Sequence, residues 1–402
     1  MKTMNTLSKS PFTSSFLKNS AKRYGKIGTY WASLILYTGC YVSTKHRWLA
    51  IKIGSSGTGK TISDKVALAS FGSQHNPLTI TGRITPAGLA KLIKRSKNDE
   101  DSEMFLKQMK DTGLLFVEDL SRCNTRYLKV TSLQLLAGLT KNTKLDDLTS
   151  EGGVPEFSLG NEPKKCMISG TPSDWEELSS TSVYNEFVDR RSLTAIALMS
   201  SLEWNYRVAL AKDSVMMKPD WQIEKEWEGI VKDSELLLYK GPIREVNFGE
   251  HRLKLYEKLS QFKRFPENVF SMIDSLAEGH ARINGRNTVY PQDYEVVDRL
   301  FSRFILLSDM KKKELFIVEE LIKNGGVMKV NDLIYKLRQK AKGNDLPELD
   351  LVARTISNYA DMSKYFNRNV AYRNNPVLIS ISESLAVLLD EWDTYVKGIL
   401  EE

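Results

Sequence analysis

Eight consecutive residues, Gly54, Ser55, Ser56, Gly57, Thr58, Gly59, Lys60 and Thr61, carry the densest chemical signal in the chain. They follow the pattern glycine, four residues, glycine, lysine, threonine. Glycines at these places let the backbone curl so that successive amides converge on phosphate oxygens, and the positive end of the following helix adds to the attraction. Lys60 is placed to reach the β and γ phosphates of ATP, and the Thr61 hydroxyl to ligate Mg²⁺. The loop needs acids opposite it, one to hold the magnesium shell and one to orient the attacking water. Leu114-Leu-Phe-Val-Glu118-Asp119 supplies two at the end of an apolar run expected to be a neighbouring strand. ATPases of this class place Asp before Glu, and the order here is reversed. Glu118 therefore takes the metal role and Asp119 the water-activating role, with an expectation of slow hydrolysis. The plain alternatives are a chance match in a Gly/Ser loop and a strand ending in two solvated acids.

These residues function only if regular elements hold them. Trp48-Leu-Ala-Ile-Lys-Ile53 reads as a buried strand running into the loop, and Thr61 to Phe71 has helical spacing. Further strands are expected at Leu78 to Thr81, Leu114 to Val117, Cys166 to Ser169 and Leu193 to Met199, with helices at Pro86 to Arg95 and Tyr127 to Leu139. A charged loop is expected at Ser96 to Glu103, and a polar hairpin or functional loop between Lys141 and Pro163. Alternating strands and helices over 46–200 predict an α/β domain with a mainly parallel sheet. Helical periodicity at Arg252 to Phe262, Glu267 to Ile283 and Pro291 to Ser308 predicts a helical subdomain over 201–309. From 310 to 402, helices at Lys313 to Lys323, Val330 to Lys342 and Leu349 to Tyr359, then a β-ribbon from Asn367 to Ile381, give the winged-helix order.

The chain has 402 residues, 41% hydrophobic and 27% charged, with a net charge of +7. That composition excludes disordered and fibrous classes. Residues 1–63 carry ten basic side chains and no acid, so residues 1–45 are expected to form a basic N-terminal arm. Such an arm would be drawn to nucleic acid, would simply be solvated, or would act as a transit sequence. Three scattered cysteines and four scattered histidines exclude a disulfide framework, a zinc-ligand set and HExxH chemistry. Any metal should be oxygen-bound. No transmembrane stretch is expected, and the cytoplasm is the natural compartment.

Further motifs, taken in order, resemble the AAA+ core of minichromosome-maintenance (MCM) helicases. They are Thr81-Gly82-Arg83 leading to Ala87-Gly88-Leu89, then Ser275-Leu-Ala-Glu278-Gly279-His280-Ala281-Arg282, then Val289 and Pro291-Gln-Asp293. The likeness covers about residues 45–305. It implies a P-loop AAA+ core, a helical lid and a C-terminal winged helix, working as an ATP-dependent DNA helicase in replication within a homo-oligomeric, hexameric ring. By the same resemblance the 141–163 loop is a DNA-contacting hairpin flanked by Lys141 and Lys144. Thr171 stands where the family has a sensor Asn, and Arg190, or its neighbour Arg191, reaches a neighbouring subunit's ATP. The family's second sensor Arg falls on Asn268, with Lys263 and Arg264 as nearby cations. The family's N-terminal domain has no counterpart, which suggests a mobile element, virus or plasmid. His280 reads as a packing residue.

In the C-terminal unit, Lys336, Arg338 and Lys340 share one helix and suit DNA phosphates, although many winged helices bind protein. Two other functions stay open. One is a nucleotide switch that assembles on DNA without unwinding it; the other is a scaffold that binds nucleotide without catalysis.

Overall fold

The computed structural model describes residues 10–46, 48–54, 58–80, 85–118, 120, 128–129, 132, 165–179, 192–196, 218–244, 249–260, 267–306, 312–344, 365–369 and 377–387, with single positions at 394 and 398. Its centre is a five-stranded parallel sheet. The strands are β1 (Trp48–Ile53), β2 (Leu78–Ile80), β3 (Leu114–Val117), β4 (Lys165–Gly170) and β5 (Ser192–Ile196), in the order β2-β3-β4-β1-β5. Leu49, Ile51, Ile53, Leu115, Val117, Cys166 and Ile168 enter one core, while Ala50, Leu114, Phe116 and Met167 enter the other. This period of two across a sheet covered on both faces is why the strands read as unbroken apolar runs.

The first core takes Leu89 and Ile93 from α3 (Pro86–Arg95) and Leu106 and Met109 from α4 (Glu100–Asp111). The expected charged loop at 96–103 is corrected here, because Glu100, Asp101 and Glu103 form the first turn of α4. Acids there interact favourably with the helix dipole, so the charge that suggested a loop favours a helix start. Through Trp175 and Leu178 of α5 (Pro172–Ser179), the same core continues to Ile317, Val318 and Leu321 of a C-terminal helix, Lys312–Lys323.

The second core holds the largest departure from expectation. Residues 11–43 are not an exposed arm but a helix, α1 (Pro11–Ser43), interrupted at Gly25. Phe16, Ile27, Tyr30, Leu34, Leu36, Tyr37 and Cys40 on it are all buried. Lys18, Lys22 and Arg23 sit on its exposed side, so the positive charge stays in water while the rest is core. Ser33 and Thr38, which interrupt the apolar run, donate to the carbonyls of Thr29 (2.8 Å) and Leu34 (3.0 Å). That back-bonding is how a buried helix tolerates hydroxyls.

Helix α1 packs on α2 (Lys60–Phe71), on α6 (Asp220–Asp233), which was not expected, and on α8 (Glu267–Ile283). A Cβ at Gly279 would lie 1.9 Å from the Cys40 carbonyl oxygen, so this crossing of α1 and α8 requires glycine. Helix α7 (Gly249–Ser260) and the stretch Pro291–Leu306, which contains a π-helical turn at Val297–Phe301, complete this side.

The C-terminal unit adds β6 (Val327–Lys329), a helix Val330–Asn344, β7 (Phe366–Asn369) and β8 (Leu378–Ile381). The strands form an antiparallel sheet in the order β6-β8-β7. The expected helices at 127–139 and 349–359 lie largely or wholly outside the described residues. Among the described residues no helix is long and apolar enough to cross a membrane.

Candidate nucleotide site

β1 ends at Ile53, and the chain turns through Gly54 toward Gly59, where φ is +80° and α2 begins. That left-handed conformation suits glycine, and a Cβ there would also meet the Trp31 ring. The Lys60 ammonium folds back over the loop, donating to the Gly54 carbonyl at 2.6 Å. Ser63 N–H donates to the Gly59 carbonyl at 2.9 Å, which locks the first turn of α2 onto the loop. Thr58 is buried. Ser55, Ser56 and Gly57 lie outside the described residues.

Parallel strands point one way, so the ends of β1, β3 and β4 meet on one edge of the sheet. In open parallel sheets that edge is where ligands bind. Gly54 N–H donates to the Gly170 carbonyl at 3.3 Å, bringing the β4 end directly beside the loop. β3 is not the hydrogen-bonded neighbour of β1, as expected from the sequence; β4 lies between them. Two strand spacings put β1 and β3 roughly 10 Å apart, a gap suited to a phosphate and a metal shell. Glu118 follows β3, and its carboxylate lies 3.3 Å from Lys65 Nζ on α2. Lys65 also reaches Glu224 of α6 at 3.2 Å. Thr61 and Lys65 are four residues apart and share one helix face, and the Lys65 ammonium links that face of α2 to Glu118. Both offer hard oxygen donors of the kind Mg²⁺ takes. Asp119 lies outside the described residues.

Thr171 follows β4, but its hydroxyl is engaged. It donates to the Asp174 carboxylate at 2.7 Å, and Asp174 also accepts from the Thr171 N–H at 2.8 Å. This is the reciprocal cap of α5, and Lys129 holds the outer Asp174 oxygen at 2.7 Å.

Behind the loop lies a buried polar group that sequence reasoning missed. Lys52 of β1 contacts Asp64 of α2 and Thr38 of α1, and also donates to Ser63 Oγ at 3.1 Å. Ser169 of β4 donates to the other Asp64 oxygen at 2.5 Å. Burial pushes the Lys52 ammonium below its ordinary value, against the pull of Asp64. The available signal was a lone lysine inside an apolar strand, since lysine is almost never buried without a partner.

Of the remaining predicted residues, the side chains of Lys336 and Arg338 are described, on the helix Val330–Asn344. Lys336 Nζ donates to Asn324 at 2.8 Å, and Arg338 is exposed on the same helix. The Lys340 side chain and Lys141, Lys144, Arg190, Arg191, Lys263 and Arg264 lie outside what is described. His280 is fully buried and hydrogen-bonded, as a packing residue should be. Among the described residues no group of three His, Cys, Asp or Glu side chains is placed to hold a metal.

A scan of protein-family models finds no match to the chain, and a search of curated proteins finds none. Among solved structures the chain is similar to a proposed ATPase from Cytophaga hutchinsonii, with 15% identity over 74% of this chain and 88% of that one and a TM-score of 0.36. It is also similar to Drosophila ORC bound to DNA, with 12% identity over 90% of this chain and 85% of that one and a TM-score of 0.24.

Proposed function

We propose that the chain is an AAA+ ATPase that works on DNA, with an MCM-like helicase or translocase as the preferred reading. The observation that carries it is the loop itself: a parallel strand, a left-handed Gly59 and a Lys60 ammonium drawn in over Gly54, all opening a helix. Such a loop is built to hold a polyphosphate. On this reading Lys60 binds the β and γ phosphates of ATP. Thr61 and Glu118 hold Mg²⁺, which supplies charge neutralisation at the phosphates. Asp119 orients the attacking water, and Arg190 from the adjacent copy in a hexameric ring stabilises charge developing on the transferred phosphoryl group. The region 201–309 acts as lid. The C-terminal unit is a winged helix that offers Lys336, Arg338 and Lys340 to DNA phosphates, while Lys141 and Lys144 meet the strand inside the ring.

A second reading is an AAA+ switch that assembles on DNA with slow turnover and no unwinding. Two contacts favour it. The Thr171 hydroxyl is committed to Asp174, and Glu118 is paired with Lys65, so both must be released before they can serve hydrolysis.

Strand displacement and ATPase assays on wild type, Lys60→Ala, Asp119→Asn and Arg190→Ala separate the readings. Strand release lost in all three variants supports the motor, and ATPase without release supports the switch. Turnover unaffected by Lys60→Ala removes both. Mixing Lys60→Ala with Arg190→Ala restores partial hydrolysis if the arginine acts across an interface.

A further inference from the structure

Lys52 occupies a strand position that its neighbours fill with apolar side chains. Ala50 on β1 and Met167 on β4 enter the core beneath α1 and α2 from the same face of the sheet. Lys52 is only 2% exposed, and Asp64 of α2, its ion-pair partner, is fully buried. Taking two charges out of water costs more than their attraction commonly returns, so a buried pair is weak evidence of a stabilising role. Apolar side chains can repack in several ways, whereas a satisfied polar network admits one relative position of the elements it joins.

The bonds of this network lead to both ends of the Gly54–Thr61 loop. The three ammonium protons of Lys52 meet three acceptors: Asp64, Thr38 Oγ1 and, at 3.1 Å, Ser63 Oγ. The Ser63 hydroxyl donates in turn to the Lys60 carbonyl at 2.7 Å. Lys52 is thereby joined, through one hydroxyl, to the backbone of the residue whose ammonium lies over Gly54. On the other side Ser169, which stands opposite Lys52 in the β1–β4 register, donates to the second Asp64 oxygen at 2.5 Å. The next residue, Gly170, accepts the Gly54 N–H at 3.3 Å. Thr38, Lys52, Ser63, Asp64 and Ser169 are all buried, so their effect on a ligand passes through the backbone they hold.

From this geometry we infer that Lys52 and Asp64 are positioning residues of the nucleotide site: bonded to each other, they hold the first turn of α2, with Lys60 and Thr61 on it, in one position against β1 and β4. This role rests on the nucleotide-site reading above and is exercised without touching the phosphates. A binding group keeps its geometry only when the shell behind it is fixed, and a buried directional network supplies such a shell.

The test measures ADP and Mg²⁺ binding by calorimetry, and ligand-free stability by thermal unfolding, in wild type, Lys52→Met/Asp64→Val, Ser63→Ala, Val66→Ala and Lys60→Ala. The double variant removes both charges at once and so avoids the stranded charge that either single change leaves. It is expected to keep a ligand-free Tm close to that of wild type while binding ADP about tenfold more weakly. Ser63→Ala cuts the link to the Lys60 carbonyl but leaves the ion pair, and is expected to weaken ADP binding by a smaller factor. Val66 is buried on the same helix among apolar neighbours, so Val66→Ala should lower Tm and leave ADP affinity unchanged. Wild-type affinity in the double variant, with binding lost in Lys60→Ala, overturns this inference and leaves the nucleotide site standing. A loss in Val66→Ala equal to that in the double variant also overturns it, assigning the effect to general loosening of α2. Where the double variant does not fold, Ser63→Ala decides, and unchanged affinity there overturns the inference. Failure of the wild type to bind ADP overturns it together with the reading beneath it.

Discussion

Two polar centres touch helix α1, and they differ in a way that separates chemistry from architecture. Near its start, Thr13 Oγ1 lies 2.9 Å from His280 Nε2, and His280 Nδ1 lies 2.6 Å from Asp293. A hydroxyl, an imidazole and a carboxylate in this order is the arrangement of a nucleophile relay. Yet all three are buried, and their remaining capacity is taken. Asn284 donates to Thr13 at 3.0 Å, while Arg286 (2.9 Å) and the Tyr290 N–H (2.7 Å) donate to the other Asp293 oxygen. Burial alone pushes the Asp293 carboxyl up, but hydrogen bonds and charge from Arg286 and His280 hold it below its usual range. This centre ties α1 to α8 and has no capacity left for a substrate. At the Gly54–Thr61 loop, by contrast, α1 contributes the Trp31 ring packed on Gly59, and the Lys60 ammonium folds back onto the Gly54 carbonyl at 2.6 Å. The familiar constellation is architecture, and the plainer loop is the site proposed above.

Substitutions that affect one centre and spare the other sharpen the contrast. Asp293→Ala strands Arg286 and His280 in the interior, so unfolding in urea should show a loss of about 3–5 kcal/mol. ADP affinity of the folded fraction should not change, and an affinity loss of comparable size would merge the two centres. Lys60→Ala should do the reverse, weakening ADP binding by about 100-fold, or about 2.8 kcal/mol, with little change in the ligand-free unfolding midpoint. Thr171→Val removes only the α5 cap, and chemical denaturation should register about 1 kcal/mol. An ATPase loss well beyond that destabilisation would show that the hydroxyl leaves Asp174 to act at the phosphates.

The smallest effect concerns pH, at the opposite end of the sheet. Lys165 begins β4, and its ammonium meets the Val42 carbonyl at 2.9 Å and His75 at 3.2 Å. Burial first, then Arg282 and Lys45, push it down to about 7 against the pull of Glu278. His75 is pushed down to about 4 by burial and by Lys165. Both values lie below those of the unfolded chain, so the folded state binds fewer protons and stability rises with pH. The Lys165 contribution is complete above about 10.5 and is lost as pH falls toward 7; that of His75 is lost between about 6.5 and 4. Thermal unfolding should therefore show a lower Tm at pH 7 than at pH 9. Lys165→Met should flatten that difference, and an unchanged slope would remove Lys165 as its cause.

Much of the scaffold was legible because it is local. β1 and β3 have the bounds that their apolar runs predicted, and Glu267–Ile283 is the helix its spacing predicted. Gly59 and Lys60 form the turn that the glycine pattern required. Helix α1 was misread because counting charges treats residues 1–45 as a sum. Lys18, Lys22 and Arg23 cluster on one exposed side, and the apolar remainder finds its cover from α2 and from helices far along the chain, α6 and α8. Helix α4 was misread because acids signal both loops and helix starts, and only their position relative to the dipole separates the two.

The sequence by itself determined the strand β1, the left-handed turn at Gly59 and the helix that follows it, because these depend on residue type and short spacing. Which polar atoms are free to act was decided only in three dimensions. Thr13 and His280 stand 267 positions apart, and Ser169 and Asp64 105 apart. Satisfaction of a buried donor or acceptor is a property of distant partners meeting away from water, so no local pattern can disclose it.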